Sequence, residues 1–468
     1  MTPRYAIPAR LLVFLMTAGA CEQAGLRLSH PDSAVHGQDG SRSSKADGAV
    51  DVSLLSEAPS SGGPCPEGLS ACGKGDGLAC HDLSRSRDHC GACGQACAPG
   101  VVCQDGTCQQ YRCKGALSFK ALADSAGTLK TMGDFDGDGI LDLVVSPEAG
   151  GVALLYGAGN GTFSGNQAIE SALVPTTWQA SAADLDGDGF QDLINTSAVP
   201  STIVVRRASG DRSAPFGEPT SYASTSDALS GILLADLDGD GRVDLVVGAS
   251  KGLEYWRGQG GGRFAHQAML DSPDMNSWEP GVPMAVDWNG DGVLDLVYGS
   301  FGFGALGFFA IGGGGNLLFR LGHGDGSFDS EVACALLPGV IGDLDHDGRP
   351  DLINEGSNLQ GASLLLGIDV CHASRIIPLS DWPKQGGIAL ADFNGDGNLD
   401  VVADYDKNIA VRVGDGKGGF AQSLNLSAYE TGQWPIGIFL TGDLNRDGKL
   451  DFIFSRDGRW GVFLNTCQ

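Results

Sequence analysis

The sequence predicts an all-β chain: a seven-bladed β-propeller preceded by a small disulfide-rich module. Three observations predict it. A nine-residue motif, Asp-x-(Asp/Asn)-x-Asp-Gly-x-x-Asp, recurs seven times between residues 134 and 451. Each copy sits in a unit of four short apolar runs divided by Gly-rich turns, and the first Asp residues of successive copies lie 49 to 56 residues apart. Nine of the 13 cysteines crowd into residues 65–113, ahead of the first copy.

The bulk numbers narrow the function classes. Among 468 residues, 57 Asp and Glu face 30 Lys and Arg, a formal net charge of -27. Nucleic-acid phosphates need a basic surface, so that partner class is excluded. The acid belongs to the motifs: 25 of the 57 acids lie in the seven copies, and the 32 that remain nearly match the 30 bases. This is metal-site acidity rather than a solvating tail.

The chain starts with an export signal over residues 1–21. Arg4 and Arg10 flank a polar start, and an apolar run from Leu11 to Met16 is too short to span a bilayer. Ala18, Gly19 and Ala20 then precede Cys21. Small residues before a cysteine resemble the cleavage box of bacterial lipoproteins, although that family usually has Leu where this chain has Ala18. The resemblance implies lipidation at Cys21, with ordinary signal cleavage as the alternative. Glu22 in place of Asp is compatible with outer-membrane sorting. The expectation is an exported protein held at the outer membrane or cell surface by a lipid anchor only.

Residues 22–64 are rich in Ser, Gly, Ala and Asp and read as a disordered tether. Residues 65–113 carry Cys65, Cys72, Cys80, Cys90, Cys93, Cys97, Cys103, Cys108 and Cys113. The run Cys90-Gly-Ala-Cys93-Gly-Gln-Ala-Cys97 resembles the core of stigma-specific-protein-like cysteine-rich modules. Disulfides are the favoured reading in an oxidising compartment. Zinc is the alternative, because Cys90 and Cys93 have CxxC spacing and His81 and His89 are near.

Residues 114–468 hold the propeller. In the third unit an apolar run over 231–235 precedes the motif, β-rich runs follow over 243–248 and 253–257, and a Gly turn over 258–264 ends in Phe264. Short apolar runs separated by Gly turns are strands, and four strands per unit make a blade. These units resemble the FG-GAP/VCBS repeats of integrin α-subunit propellers and their bacterial relatives.

The seventh unit has three strands after its motif is counted in, and the chain then ends. Residues 116–122 precede the first motif with no blade of their own, and they are expected to supply the missing strand and close the ring. Cysteine arithmetic agrees. Without Cys21, nine cysteines lie in the module and three in the propeller, both odd, so one bridge must join the groups. Cys113 and Cys467 flank the expected closing strands, which leaves Cys334 with Cys371. A loop of that length contributes about 4–5 kcal/mol by chain entropy.

The seven motifs offer hard oxygen ligands: Asp134, Asp136, Asp138 and Asp142; Asp184, Asp186, Asp188 and Asp192; Asp236, Asp238, Asp240 and Asp244; Asp287, Asn289, Asp291 and Asp295; Asp343, Asp345, Asp347 and Asp351; Asp392, Asn394, Asp396 and Asp400; Asp443, Asn445, Asp447 and Asp451. Calcium takes oxygen ligands, and Gly at position 6 permits the turn that wraps them. Up to seven Ca2+ ions are expected. The repeat resemblance implies a backbone carbonyl ligand from position 7 and a final carboxylate from position 9. Asn at position 3 keeps an oxygen and loses a charge, so loops 4, 6 and 7 are expected to bind more weakly. His346 and Arg446 stand at position 4, where the other copies have Gly.

No catalytic constellation is legible, and the expectation is a binding protein rather than an enzyme. Residues 248–252 spell GxSxG but fall at a strand-to-strand turn, without the strand–elbow–helix context that a nucleophile needs. Trp178, Trp278, Trp382 and Trp434 lie six to ten residues before a motif, and Tyr222 is comparably placed. These rings are candidates for a ligand face opposite the loops, with packing between blades as the alternative. A surface adhesion or protein-binding module is the first functional reading, as the integrin resemblance implies. A carbohydrate-binding lectin is the alternative, and a polysaccharide-active enzyme follows behind.

Overall fold

The computed structural model describes residues 70–72, 79–81, 92, 101–104, 106–110, 112–122, 125–147, 150–170, 179–198, 201–226, 229–272, 281–299, 316–337, 339–354, 362–369, 371–379, 387–405, 408–427, 438–456 and 458–467. Cys21, Trp178, Trp278, Trp382 and Trp434 lie outside them. No helix among the described residues is long and apolar enough to cross a membrane.

Seven antiparallel sheets follow one another along the chain. Blade 1 comprises Thr128–Gly133, Asp142–Ser146, Val152–Gly157 and Phe163–Glu170. Blade 2 comprises Gln179–Ala183, Asp192–Ala198, Ser201–Arg206 and Thr220–Ala223. Blade 3 comprises Leu229–Ala235, Asp244–Ala249, Gly252–Gly260 and Arg263–Asp271. Blade 4 comprises Met284–Val286, Asp295–Gly299, Leu317–Arg320 and Val332–Cys334. Blade 5 comprises Gly339–Gly342, Asp351–Asn354, Ser363–Asp369 and His372–Pro378. Blade 6 comprises Ile388–Ala391, Asp400–Tyr405, Asn408–Gly414 and Phe420–Ser427. Blade 7 has Ile438–Gly442, Asp451–Arg456 and Arg459–Asn465.

The second strands explain why the blades stack. Leu245, Val246 and Val247 of blade 3 are all fully buried. Successive side chains of a strand point to opposite faces. Leu245 and Val247 therefore join a cluster with Ile194, Ile203 and Val205 of blade 2. Val246 joins Ala285, Leu296 and Leu318 of blade 4. A strand buried on both faces reads as an unbroken apolar run. One such cluster fills each of the seven interfaces between neighbouring blades, including that between blades 7 and 1, where Ile453, Val462 and Leu464 meet Leu129, Met132 and Val145.

The fourth strand of blade 7 comes from the start of the propeller. Phe119–Ala121 pairs antiparallel with Arg459–Asn465, in the register Phe463 to Ala121, Leu464 to Lys120 and Asn465 to Phe119. Ser125–Ala126 pairs with the same strand at Arg459 and Trp460. Backbone hydrogen bonds from Leu122 to the Val462 carbonyl at 2.9 Å and from Thr466 to the Ser118 carbonyl at 2.8 Å extend the pairing, and Leu117 packs into the core between blades 6 and 7. Cys113 and Cys467 form a disulfide with their Cα atoms 5.7 Å apart. Cys334 and Cys371 form another, at 5.1 Å, and it ties the outer strand of blade 4 to a turn of blade 5.

Ahead of the propeller, Ser70–Cys72 pairs with Ala79–His81, and Val101–Gln104 pairs with Thr107–Gln110. The remaining cysteines of the module, Cys65, Cys90, Cys93 and Cys97, lie outside the described residues.

Candidate metal loops

Each motif connects the first strand of a blade to the second, and its backbone is wound around its own carboxylates. Position 1 closes the loop. Asp134 accepts the N–H of Gly137 at 2.7 Å and of Gly139 at 2.8 Å. The position-6 glycine donates to the position-1 carboxylate in all seven loops. That glycine has φ between 76° and 94°, a conformation that disfavours any residue with a Cβ. Position 5 accepts the N–H of position 7 throughout, as Asp138 does from Ile140 at 2.8 Å.

Position 9 has a role that sequence reasoning did not assign. Its carboxylate is fully buried in every blade. One oxygen accepts the N–H of position 2 in its own loop, and the other accepts an N–H within two residues of the end of the third strand. For Asp351 the donors are Leu344 and Gly367, both at 2.7 Å. For Asp244 they are Leu237 at 3.0 Å and Gly258 at 2.7 Å. Asp142, Asp192, Asp295, Asp400 and Asp451 repeat the pattern. The ninth residue is therefore a staple between the loop and the third strand. Its sequence signal was the Asp that opens each second strand, where a polar residue begins an otherwise apolar run.

The loops also bridge blades. Gly161 in the third-to-fourth-strand turn of blade 1 donates to the Leu444 carbonyl of loop 7 at 3.0 Å. Gly262 of blade 3 does so to Leu185 of loop 2 at 3.1 Å, and Gly418 of blade 6 to Leu344 of loop 5 at 3.2 Å. The two residues that depart from Gly at position 4 keep the left-handed backbone, with φ of 59° at His346 and 60° at Arg446. His346 Nε2 lies 2.9 Å from Asn398 Oδ1 in loop 6, and the Arg446 guanidinium lies over Gly139 in loop 1. Both departures reach the loop of the next blade.

Carboxylate oxygens converge within 4.8 Å of one another in four loops: Asp134, Asp136 and Asp142; Asp184, Asp186 and Asp192; Asp236, Asp238 and Asp244; Asp343, Asp345 and Asp347. Each of these groups could hold a metal ion. Loops 4, 6 and 7 carry Asn at position 3, and the amides of Asn289 and Asn394 donate to Asp291 and Asp396 at 2.9 and 3.1 Å. The donor set fits a hard cation. Asp186 Oδ1 and Asp343 Oδ1 are buried oxygens with no hydrogen-bond partner, an arrangement that costs free energy unless a cation faces them. Burial, reinforced by neighbouring carboxylates, pushes Asp134 up to about 7 and Asp142 up to about 8. Burial likewise raises Asp351 to about 7 and Asp451 to about 8.

Tyr222 is half-buried between blades 2 and 3. Its ring meets Trp256 and Phe264 edge-on at 5.7 and 6.2 Å, and its hydroxyl accepts the Phe264 N–H at 3.1 Å. Blade packing accounts for it. Ser250, in the GxSxG spelling, shares a hydrogen bond with Ser226 at 2.7 Å in the turn between the second and third strands of blade 3.

No curated protein matches the chain. Among solved structures it is similar to an Agrocybe aegerita lectin described as recognising non-reducing terminal N-acetylglucosamine, at 20% identity and a TM-score of 0.49, covering 71% of this chain and 86% of the lectin. It is similar to the rhamnogalacturonan lyase YesW at 15% identity and a TM-score of 0.44, covering 79% and 80%. It is similar to BBS1N, solved in complex with ARL6DN, at 9% identity and a TM-score of 0.42, covering 74% and 96%. The family described as the FG-GAP-like repeat matches residues 134–194, 198–298 and 392–454. All three matched stretches lie within the seven-bladed propeller and are similar to FG-GAP-like repeats.

Proposed function

We propose that the chain is a calcium-stabilised binding protein, exported and tethered to a membrane surface through Cys21, whose loops are scaffold and whose opposite face meets a protein ligand. One observation carries this reading: the same carboxylate loop recurs in every blade and hydrogen-bonds to the next blade's turn at Gly161, Gly262 and Gly418. A catalytic centre is single and asymmetric, whereas seven equivalent loops serve the ring as a whole. A cation that rigidifies each loop holds neighbouring blades in register. The donors are carboxylate and amide oxygens without sulfur or imidazole, which favours calcium over zinc or copper.

The test has two parts. Metal analysis of the buffer-exchanged full chain is expected to find bound calcium, and chelation is expected to lower its melting temperature. A protein free of divalent ions and indifferent to chelator would end the cation reading. A glycan array with and without chelator then addresses the ligand. A blank array supports a protein partner, and calcium-dependent capture of one sugar class replaces that reading with a lectin.

A further inference from the structure

Loops 1 and 3 differ from the rest in one respect. In each, a single guanidinium forks across the outer oxygens of positions 3 and 5. Arg212 contacts Asp136 Oδ2 through Nε, and Asp138 Oδ2 through Nη2 at 2.6 Å. Arg257 contacts Asp238 Oδ2 through Nε at 2.5 Å, and Asp240 Oδ2 through Nη2 at 3.2 Å. The same atoms make the same fork, yet the arginines come from unrelated places. Arg212 reaches over from the turn between Ser201–Arg206 and Thr220–Ala223 of blade 2, and Arg257 stands in the third strand of blade 3 itself.

The fork uses up the ligand atoms. The inner oxygens of the same carboxylates already accept loop N–H groups: Asp136 from Asp138 at 3.2 Å, Asp138 from Ile140 at 2.8 Å, Asp238 from Asp240 at 3.1 Å and Asp240 from Arg242 at 3.0 Å. In loop 1 every oxygen at positions 3 and 5 accepts a hydrogen bond, whereas in loop 3 Asp238 Oδ2 faces Arg257 Nε as an ion pair without a hydrogen bond and Asp240 Oδ2 also meets Arg242. Asp136 and Asp238 are buried, with side chains 3% and 1% exposed, so the charge pairs are shielded on the acid side. Arg212 is further held over the Tyr156 ring at 4.9 Å, with the Tyr156 hydroxyl donating to its carbonyl at 3.2 Å. Loops 2 and 5 stand apart. Their Asp186 Oδ1 and Asp343 Oδ1 are buried without a hydrogen-bond partner, as Asp238 Oδ2 is, but no guanidinium forks across positions 3 and 5 there, and Arg207 reaches Asp186 at 3.6 Å through one nitrogen.

We propose that Arg212 and Arg257 are built-in counter-cations that make loops 1 and 3 low-affinity calcium sites and keep blades 1 and 3 folded when calcium is scarce, an assignment that rests on the cation reading above. A guanidinium already paired with two carboxylates must be displaced before a metal can take those oxygens.

Calcium titration of the full chain by native mass spectrometry tests this, with wild type compared with the double variant Arg212→Met, Arg257→Met. Met keeps an apolar stem against Tyr156 and removes the charge. Wild type is expected to need about tenfold more calcium than the variant to fill two of its sites, with the others titrating alike. Superimposed titrations would overturn the assignment. So would an equal shift from Arg207→Met, because the effect would then be general charge rather than the fork. Melting in chelator is the second readout, where the double variant is expected to melt about 4 °C below wild type and to recover with calcium. Equal melting in chelator would also overturn it. Should wild type take up no divalent ion, the cation reading fails, and the chelator melt still decides whether the forks hold blades 1 and 3.

Discussion

The backbone N–H of Cys113 donates to the carbonyl oxygen of Asn394 at 2.7 Å. At three other seams a turn glycine, Gly161, Gly262 or Gly418, donates to the position-2 carbonyl of the preceding loop, and at this seam Asn465 Nδ2 donates to that carbonyl, of Phe393, at 2.7 Å. Blade 7 takes its fourth strand from the N-terminal side, and the segment ahead of that strand adds a second link, one residue further along loop 6. The Cys113 side chain is also bonded to Cys467, so one residue joins the ring covalently and through the backbone. Replacing Cys113 and Cys467 with Ser is expected to cost about 5 kcal/mol, and replacing Cys334 and Cys371 about 3–4, because the closed loops differ in length. Their sequence separations are 354 and 37. Denaturant unfolding of the oxidised variants measures both. Equal losses would show that ring closure has no special weight.

The position-9 staple is separable from metal binding. Asp351 serves two buried N–H donors, whereas exposed Asp347 serves one loop N–H from Arg349. With chelator present, Asp351→Ala and Asp351→Asn are both expected to lose about 3–5 kcal/mol, since Asn turns an N–H toward one donor and leaves it unsatisfied. Asp347→Asn is expected to lose less than about 1 kcal/mol under the same conditions. Urea midpoints compare the three, and an Asp351→Asn midpoint near that of Asp347→Asn would remove the staple.

The raised carboxyl groups set the pH response of the chelated protein. Burial, then neighbouring carboxylates, hold Asp142 and Asp451 near 8, and burial likewise holds Asp192 and Asp400 near 7, all above the ordinary 3.8. A carboxyl whose folded value is raised binds its proton more tightly in the native state. The stability it contributes is complete below its ordinary value and is lost as pH rises through the folded value. The chelated chain is therefore expected to melt progressively lower between pH 5 and about pH 8.5. Calcium replaces those protons, so the rise in melting temperature on adding calcium is expected to grow across the same interval. A calcium increment independent of pH would contradict this.

The repeat made the architecture readable, because seven copies at near-equal spacing constrain strand order, blade number and ring closure together. Ring closure was legible because the surplus residues 116–122 and the odd cysteine counts pointed to the same seam. The arginine forks were not legible. Arg212 lies 76 residues from Asp136 in sequence and 74 from Asp138, and only blade packing brings them together. The staple was hidden for a different reason: an Asp at position 9 reads as a ligand, and its two N–H donors carry no side-chain signature. His346 and Arg446 stood out as departures from Gly, but their reach into the next loop depends on a left-handed backbone that only the fold reveals.

Tyr222 separates packing from recognition. Its hydroxyl accepts the Phe264 N–H and its ring fits between Trp256 and Phe264, so the side chain joins blade 2 to blade 3. Tyr222→Phe is expected to lose about 1–2 kcal/mol, because the N–H loses its acceptor while the ring contacts remain. Tyr222→Ala is expected to lose about 2–4 kcal/mol, because the ring contacts go as well. A ligand-facing ring would behave in the opposite way, since its removal would spare stability and abolish capture. Unfolding midpoints of the two variants, set beside their binding of any ligand found for the wild type, decide the matter. Full stability in Tyr222→Ala together with lost binding would assign the ring to recognition rather than to the joint between blades.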